Sequence, residues 1–205
     1  PFKRLCYYKL KDMDFKDTKL NIDYNQIKLE GGETVMHEWE TFLMKKSAEY
    51  VCQNGGHILE IGFGMGIASN FIQEQNIESH TICEVHPQII TRAKKWAYGK
   101  KNVRILEGFW YENIMLWKDD EDQSTTYNGI LYDAHRDPHH YKVKEMVYTL
   151  AEDGCFVTWW NNSPKEWNEI KLPNVEFEII DVDPPKNNYF NHKQYFMPKY
   201  VHKIK

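Results

Sequence analysis

A glycine-rich loop constrains the fold of this chain more than any other feature. It follows the apolar run His57–Ile61 and precedes the amphipathic stretch Ile67–Glu74, which predict a buried strand and a helix. Three glycines, Gly62, Gly64 and Gly66, let the backbone between them turn sharply and approach a ligand closely. Ligands of open α/β sheets bind at such strand-to-helix turns, so the loop predicts a ligand site.

Apolar runs and amphipathic stretches alternate along the rest of the chain, as is typical of a mostly parallel sheet covered by helices on both faces. The sequence therefore predicts a doubly wound α/β fold with seven strands after Gly56 and an antiparallel hairpin at the end. The predicted strands are His57–Ile61, His80–Glu84, Val103–Leu106, Gly129–Asp133, Cys155–Trp160, Val175–Val182 and Lys193–Val201. The predicted helices are Glu33–Gln53, Ile67–Glu74, Pro87–Tyr98, Trp110–Trp117, His140–Leu150 and a weak one over Pro164–Ile170, with a turn at Glu152–Gly154.

Length and composition fit a single domain with a short extension. The chain has 205 residues, of which 41% are hydrophobic, enough for a full core. Residues 1–32 are polar and irregular, with a short β-like piece at Gln26–Leu29, and we expect them to form an N-terminal lid or extension. Residues 33–205 then form the ligand-binding domain.

Charge and cysteine usage narrow the partners and the compartment. A net charge of −4 gives no broad basic surface for nucleic acid, and no apolar run is long enough to span a membrane. The four cysteines form no C-x-x-C pair, and Cys83 and Cys155 lie in apolar runs that predict buried thiols. We therefore expect a cytoplasmic protein without a metal site, and the sequence is compatible with a homodimer.

Two ligand classes use loops of this kind. The dinucleotide pattern G-x-G-x-x-G/A fails from Gly62, because Ile67 takes the last small position, and from Gly64 it fits only poorly with Ser69. The alternative pattern, acidic-x-G-x-G-x-G, fits at every position when it begins at Glu60. It resembles the first motif of class I methyltransferases, which are Rossmann-like and use S-adenosylmethionine. An NAD-dependent oxidoreductase remains the alternative at this point.

Two further signals agree with an adenosine ligand. Glu84 ends the next predicted strand, 22 residues after Gly62, where an acid can accept hydrogen bonds from ribose hydroxyls. Gly108, Phe109 and Trp110 follow the third strand, where the backbone could read the adenine edge and a ring could stack on it. Both rings could equally belong to the core.

Two acids are candidates for the chemistry. Asp133 ends the predicted strand that starts at Gly129, so its side chain should project toward the ligand. Glu40 lies between Met36 and Met44 at helical spacing, which places a carboxylate in a partly apolar setting. The plainer interpretation of Glu40 is the edge of an amphipathic helix.

Several motifs together resemble one family. The stretch from Val35 to Thr41 is similar to the V-M-x-x-W-E-T motif of guanidinoacetate N-methyltransferase and of fungal-type protein arginine N-methyltransferases. The loop resembles the family's E-[VI]-G-F-G-M element, the strand before Asp133 its G-I-L-Y-D element and Gly108–Trp110 its G-L-W turn. The end Tyr195–Pro198 is similar to its Y-x-x-P element.

The resemblance implies a cofactor and roles for individual residues. The cofactor is S-adenosylmethionine, and the acids that match W-E-T and L-Y-D hold the guanidinium of the acceptor. We assign Asp133 as the general base and Glu40 as the clamp, because two carboxylates can offset the charge of a cationic acceptor. The implied cofactor-binding residues are Glu60, Gly62, Phe63, Gly64, Met65, Gly66, Glu84, Val85, Gly108, Phe109, Trp110 and Asp133. The implied acceptor-binding residues are Glu40, Asp133, Trp39, Asn161, Asn162 and Ser163.

Other interpretations stay open at this stage. His135 follows Asp133 closely and is an alternative base, or part of a surface loop. The acceptor is expected to be guanidinoacetate or a similar small molecule, with Arg136 as a candidate partner for its carboxylate. The alternatives are a peptidyl arginine, another small molecule, or a protein that binds an adenosine ligand without catalysis.

Overall fold

A computed structural model describes residues 15–117 and 126–204. The chain forms two sheets. The smaller is antiparallel, with neighbouring strands paired in chain order, and consists of β1 Leu20–Ile22, β2 Gln26–Leu29 and β3 Thr34–His37. The larger has seven strands, which are β4 His57–Ile61, β5 Ser79–Glu84, β6 Val103–Glu107, β7 Tyr127–Tyr132, β8 Ala151–Trp159, β9 Glu176–Asp181 and β10 Gln194–Val201.

Helices join the strands of the larger sheet. A 3₁₀ turn at Glu38–Glu40 leads into the first of them, and a second 3₁₀ turn at His140–Lys142 leads into the last. The α-helices are α1 Thr41–Val51, α2 Ile67–Gln73, α3 Pro87–Ala97, α4 Trp110–Trp117 and α5 Val143–Leu150. Pro87 takes the first turn of α3, where its missing N–H costs no hydrogen bond.

The strand order of the larger sheet is β6-β5-β4-β7-β8-β10-β9. The first five strands are mutually parallel, and β10 pairs antiparallel with both β8 and β9. The predicted doubly wound α/β fold with seven strands and a terminal hairpin is confirmed. The chain leaves β4 in one direction and returns to β7 on the other side, so the ends of these two strands flank the crevice where ligands bind.

The core lies on both faces of this sheet. Ile58 and Ile130 in the central strands are fully buried, and so are the free thiols of Cys83 and Cys155, as predicted. None of the described helices combines the length and the apolar character needed to cross a membrane.

The region before the glycine loop departs from the prediction. We expected a helix over Glu33–Gln53, but its first part is β3 and a 3₁₀ turn, and α1 begins only at Thr41. The segment pairs with β2, for example Met36 with Ile27, and this partner overrides the helical spacing of the apolar residues.

Two smaller expectations were also wrong. The predicted turn at Glu152–Gly154 lies inside β8, where the pairing with β7 shifts register and takes up the extra residues as a bulge. The predicted weak helix over Pro164–Ile170 does not form, and in this segment the carbonyl of Lys165 accepts a hydrogen bond from the side chain of Asn161 at 3.1 Å.

The predicted boundary between residues 32 and 33 falls within the three-stranded sheet. Residues 1–14 of the expected extension lie outside the described residues, and the division into two domains stays a prediction.

Candidate active site

The glycine loop crosses the gap between β4 and α2 with three left-handed residues. Gly62, Gly64 and Gly66 have φ values of 91°, 53° and 78°. A Cβ on Gly62 would lie 2.0 Å from the backbone oxygen of Asp133, and one on Gly64 would lie 2.5 Å from the sulfur of Met36. No larger residue could therefore replace Gly62 or Gly64 without a clash. Because the glycines carry no side chain, the backbone of the loop can approach a ligand closely.

A cavity of about 870 Å³, counting its open mouth, lies against this loop. The predicted cofactor-binding residues that line it are Glu60, Gly62, Phe63, Gly64, Glu84, Val85, Gly108, Phe109, Trp110 and Asp133. Two predicted ones are not in its wall. Gly66 caps the start of α2, and the backbone N–H of Met65 donates to the sulfur of Met36 at 3.2 Å.

Glu84 is buried at the end of β5 and points back to the glycine loop. Its carboxylate accepts hydrogen bonds from the backbone N–H groups of Phe63, Val85 and His86, at 2.8 to 2.9 Å. Burial nevertheless raises the pKa of Glu84, against the effect of these bonds. The acid thus orders the loop, and a contact of its oxygens with ribose stays a prediction.

Glu60, the acid of the loop motif, is held by two neighbours. Its Oε2 accepts a hydrogen bond from the hydroxyl of Ser69 at 2.7 Å and lies 2.8 Å from Nε2 of His80. All three side chains are buried. These contacts join β4, β5 and α2 directly beneath the loop.

The two rings after β6 have different surroundings. Trp110 is only 3% exposed and packs in the core, and its indole N–H donates to Asp137. Phe109 is partly exposed and stands edge-on to His139. Both contact the cavity, so of the two rings Phe109 has the more open face for a base.

Asp133 follows β7 directly and lines the cavity. Its backbone N–H donates to Ile61 at 2.9 Å, which fixes it beside the glycine loop. Among the described residues, its carboxylate has no hydrogen-bond partner. Burial, together with the charge of Glu60, raises the pKa of Asp133 to about 7.

Glu40 is the second candidate acid and is 3% exposed. It ends the 3₁₀ turn, where its Oε1 accepts the backbone N–H of His37 at 2.8 Å and the hydroxyl of Tyr189. Burial raises the pKa of Glu40 to about 8, and the negative charge of Asp133 adds to this effect. The negative charge of Asp133 thus acts on Glu40, and a shared acceptor site for the two acids stays a prediction.

The remaining residues predicted to bind the acceptor have mostly structural contacts. Trp39 donates its indole N–H to the Tyr189 hydroxyl at 2.7 Å and stacks on Phe190. The buried side chain of Asn161 is occupied by backbone groups, including the N–H of Ser163 and the carbonyl of Phe196. Asn162 is exposed and Ser163 is partly buried. Their contact with an acceptor stays a prediction.

His135 lines the cavity, but its environment weakens it as a base. Burial lowers the pKa of His135 to about 4, and its Nε2 lies 3.4 Å from Oε1 of Glu33. The same Glu33 forms a bidentate ion pair with Arg136, with a distance of 3.1 Å from Nε to Oε1. Asp133, with a pKa closer to neutrality, is better matched to take up a proton.

Within residues 15–117 and 126–204, no three or more His, Cys, Asp or Glu side chains are grouped to hold a metal ion. Asp137, near His139 and His140 in the sequence, instead accepts hydrogen bonds from Trp110 and from the hydroxyl of Tyr132.

Comparison with known proteins identifies the family. The profile described as guanidinoacetate N-methyltransferase matches residues 9–170, most of the chain. The chain belongs to the guanidinoacetate N-methyltransferase family. This family consists of methyltransferases that use S-adenosylmethionine, so the class of enzyme and the cofactor follow from membership, and the oxidoreductase alternative is wrong.

Two curated relatives of this chain are fungal proteins. Protein arginine N-methyltransferase 2 of Candida glabrata is 36% identical over 90% of this chain and 52% of its own length. Its namesake in Saccharomyces cerevisiae is 35% identical over 92% of this chain and 51% of its own length. The chain thus spans about half the length of these two relatives.

Solved structures confirm the fold. Spermidine synthase of Thermotoga maritima superposes with a TM-score of 0.64 at 13% identity, covering 89% of this chain and 72% of that one. A putative S-adenosylmethionine-dependent methyltransferase of Streptococcus mutans gives 0.59 at 9% identity, covering 90% of this chain and 56% of that one. The fold is that of class I methyltransferases.

Proposed function

We propose that this chain transfers a methyl group from S-adenosylmethionine to a guanidino nitrogen, and that the acceptor is an arginine side chain of a protein. The observation that carries the proposal is the pair formed by the buried Glu40 and by Asp133, which is partly exposed and lines the cavity beside the glycine loop. Among the described residues each acid has at least one oxygen without a hydrogen-bond partner, and burial raises the pKa of each. A cation that binds between the two carboxylates would supply the missing partner of each and stabilise their charged forms.

The donor fits the described cavity. The glycine loop leaves no room for side chains, and Glu60, Glu84 and Phe109 line the wall where its ammonium, ribose and base would be held. When bound, S-adenosylmethionine supplies a methyl group activated by a positively charged sulfur.

The acceptor is a poor nucleophile, because the lone pairs of a guanidinium are delocalised and the group stays protonated in water. Glu40 and Asp133 would hold it in two charge-assisted hydrogen-bonded contacts and offset its repulsion from the cationic donor. Asp133 would accept the proton that the nitrogen releases as that nitrogen forms its bond to carbon. Glu40 would hold the second nitrogen in place.

Two observations favour arginine over guanidinoacetate. The curated relatives are named protein arginine N-methyltransferases. In addition, Arg136 carries the only permanent positive charge among the described residues that line the cavity, and Glu33 already holds it. The carboxylate of guanidinoacetate would have to compete for this arginine, whereas an arginine side chain makes no such demand. Guanidinoacetate remains the second candidate, favoured by the description of the family.

A methyl-transfer assay with labelled donor tests the proposal. Guanidinoacetate, free arginine, a Gly-Arg-Gly peptide and a protein extract are offered in parallel, with Asp133→Asn as the inactive control. We expect label in the peptide or the extract and little in guanidinoacetate. Label in guanidinoacetate alone would replace the proposal with the second candidate. Absence of label from every acceptor, while S-adenosylhomocysteine still binds, would reject a guanidino acceptor.

A further inference from the structure

The loop between β9 and β10 brings Tyr189 to Glu40, one of the two acids proposed to bind the acceptor. Neither side chain is among those that line the cavity at the glycine loop. Asn187 orders the loop, because its Oδ1 accepts the backbone N–H groups of Tyr189 and Phe190 at 2.9 and 2.7 Å. The next residue, Asn188, ties the loop to the small sheet by accepting the N–H of Thr34 at 3.1 Å. Tyr189 is thus held from both sides, although 149 residues separate it from Glu40.

The direction of the hydrogen bonds around Tyr189 is fixed by chemistry. An indole N–H can only donate, so Trp39 donates to the hydroxyl oxygen of Tyr189. The hydroxyl hydrogen is then free to go to Oε1 of Glu40. Burial and the charge of Glu40 raise the pKa of the Tyr189 hydroxyl, which keeps this hydrogen in place.

The two oxygens of Glu40 consequently have different roles. Oε1 accepts both the Tyr189 hydroxyl and the backbone N–H of His37. Among the described residues, Oε2 has no hydrogen-bond partner. Oε2 is therefore the oxygen that can take up a proton in the free protein or meet a cation in the complex.

We propose that Tyr189 is a positioning residue of the acceptor site, which fixes Glu40 by its Oε1 so that Oε2 is presented to the guanidinium. The inference rests on the proposed function for the identity of the cation, but the contact between Tyr189 and Glu40 does not depend on it. Neither the sequence motifs nor the spacing of the acids pointed to this residue.

One charged group and two hydrogen-bond donors from other elements act on Glu40. Asp133 after β7 repels it and raises its pKa, while the Tyr189 hydroxyl and the N–H of His37 lower that pKa. Tyr195 on β10 also lies within the field of both acids, but its hydroxyl is occupied by the N–H of Asn161. Removal of the Tyr189 hydroxyl should therefore raise the pKa of Glu40 further.

The test compares Tyr189→Phe with Tyr200→Phe in the full chain. Both variants lose the hydroxyl of a tyrosine in the terminal hairpin, but the Tyr200 hydroxyl lies 3.3 Å from Nδ1 of His202 and does not reach Glu40. Titration of the Glu40 side-chain carboxyl is followed by ¹³C NMR, with Glu40→Gln to assign the signal. Affinities for S-adenosylhomocysteine and for a Gly-Arg-Gly peptide are measured by calorimetry, and kcat/KM for the peptide across pH.

In Tyr189→Phe we expect the Glu40 titration to move up by about one pH unit, the size that loss of one hydrogen bond to a charged group produces. The acid limb of kcat/KM should move with it, and kcat/KM near neutral pH should fall about tenfold. Affinity for S-adenosylhomocysteine should stay unchanged, and Tyr200→Phe should leave the titration and the limb in place.

An unchanged Glu40 titration in a folded Tyr189→Phe protein would overturn the inference. A shifted titration without peptide binding or methylation in the parent protein would retain the positioning role and reject the proposed acceptor. If Tyr189→Phe does not fold, Tyr189→Trp replaces it, since it keeps a ring and an N–H donor, and should titrate closer to the parent protein than Tyr189→Leu. Equal titrations in these two variants would again overturn the inference.

Discussion

The two acids of the proposed donor side, Glu60 and Glu84, differ from the two of the proposed acceptor side, Glu40 and Asp133, in how many hydrogen-bond partners the protein gives them. Glu84 accepts three backbone N–H groups, and Glu60 is held by Ser69 and His80. Asp133 has no partner among the described residues, and Glu40 keeps one oxygen unpaired. The acids of the proposed donor side are therefore satisfied by protein groups, whereas we expect those of the proposed acceptor side to gain their missing partner from a bound cation.

This contrast has an energetic consequence. A buried carboxylate without a partner is costly in its charged form, and its pKa rises so that it is partly neutral near physiological pH. The two acids of the proposed acceptor side thus lower the stability of the free protein, and a bound cation would offset this loss. Such costs are common at functional sites and are offset elsewhere in the fold.

The largest effect should come from removing one unpaired acid. Asp133→Asn keeps the shape of the side chain but can no longer take up a proton, so we expect kcat to fall by about 10³-fold, within the range of general-base catalysis. Single-turnover methylation of an arginine peptide measures this loss. Calorimetry should find S-adenosylhomocysteine bound as in the parent protein. Full turnover in the variant would show that Asp133 is not the base.

A change in a satisfied acid should act on the donor instead. Glu84→Ala leaves three backbone N–H groups without their acceptor, those of Phe63 in the glycine loop and of Val85 and His86 after β5, each costing about 1–3 kcal/mol. The two segments should loosen, and affinity for S-adenosylhomocysteine should fall by about 10²-fold. Calorimetry gives the affinity. Glu107→Ala is the matched control, since Glu107 also ends a strand of the sheet but is exposed and paired with Lys94. An equal loss of affinity for S-adenosylhomocysteine in Glu84→Ala and Glu107→Ala would show that the hydrogen bonds of Glu84 have no special role in donor binding.

The pH dependence should belong to the acceptor side. Catalysis needs both acids ionised, and their pKa values are raised to about 8 for Glu40 and about 7 for Asp133. Hence kcat/KM should rise with pH through this window. A bound guanidinium favours the ionised forms, so the limb of kcat alone should lie at lower pH. A profile of kcat/KM that is flat from pH 6 to 9 would contradict the proposed pair.

The smallest effect should be on stability. The folded-state pKa of Glu40 is raised above its ordinary value of 4.5, so the folded protein binds more protons than the unfolded chain between these values. Its stability therefore decreases as pH rises through this window. Glu40→Gln stays neutral and should be more stable than the parent protein at pH 9, by on the order of 1–3 kcal/mol, with little difference at pH 4.

Urea unfolding at the two pH values measures this difference. The control is Glu49→Gln on α1, the helix that follows Glu40, where Glu49 is half-exposed and lies 3.8 Å from Lys45. Its effect should stay below about 0.5 kcal/mol, as for other surface pairs. A Glu40→Gln protein that is less stable at both pH values would mean that burial of this charge is not the dominant cost.

The sequence predicted the strands and the glycine loop of the proposed donor side well, because their signals are local. Apolar runs for β4 and β5, glycines at the turn and acids at both strand ends all lie within about 25 residues. The structure confirms the strands, and Gly62 and Gly64 have the left-handed conformations that the spacing favours. Local pattern and global fold agree in this half of the molecule.

The acceptor side was harder to predict because it depends on distant partners. Met36, Glu40 and Met44 follow helical spacing, yet Met36 lies in a strand because β2 pairs with it. The 3₁₀ turn is capped by His37, which is not a usual capping residue, so its start carried no recognisable signal. Tyr189 reaches Glu40 from a loop far along the chain, and no local pattern marks such a contact.

The insertion of β10 between β8 and β9 has a consequence for how the protein matures. Because β9 reaches the sheet only through β10, the loop that carries Tyr189 gains the support of both strands only when β10 has paired with β8. Contacts between residues far apart in the sequence also cost more chain entropy to close than local ones. We therefore expect the glycine loop, whose flanking strands are close in the sequence, to form before Glu40 acquires its hydroxyl partner.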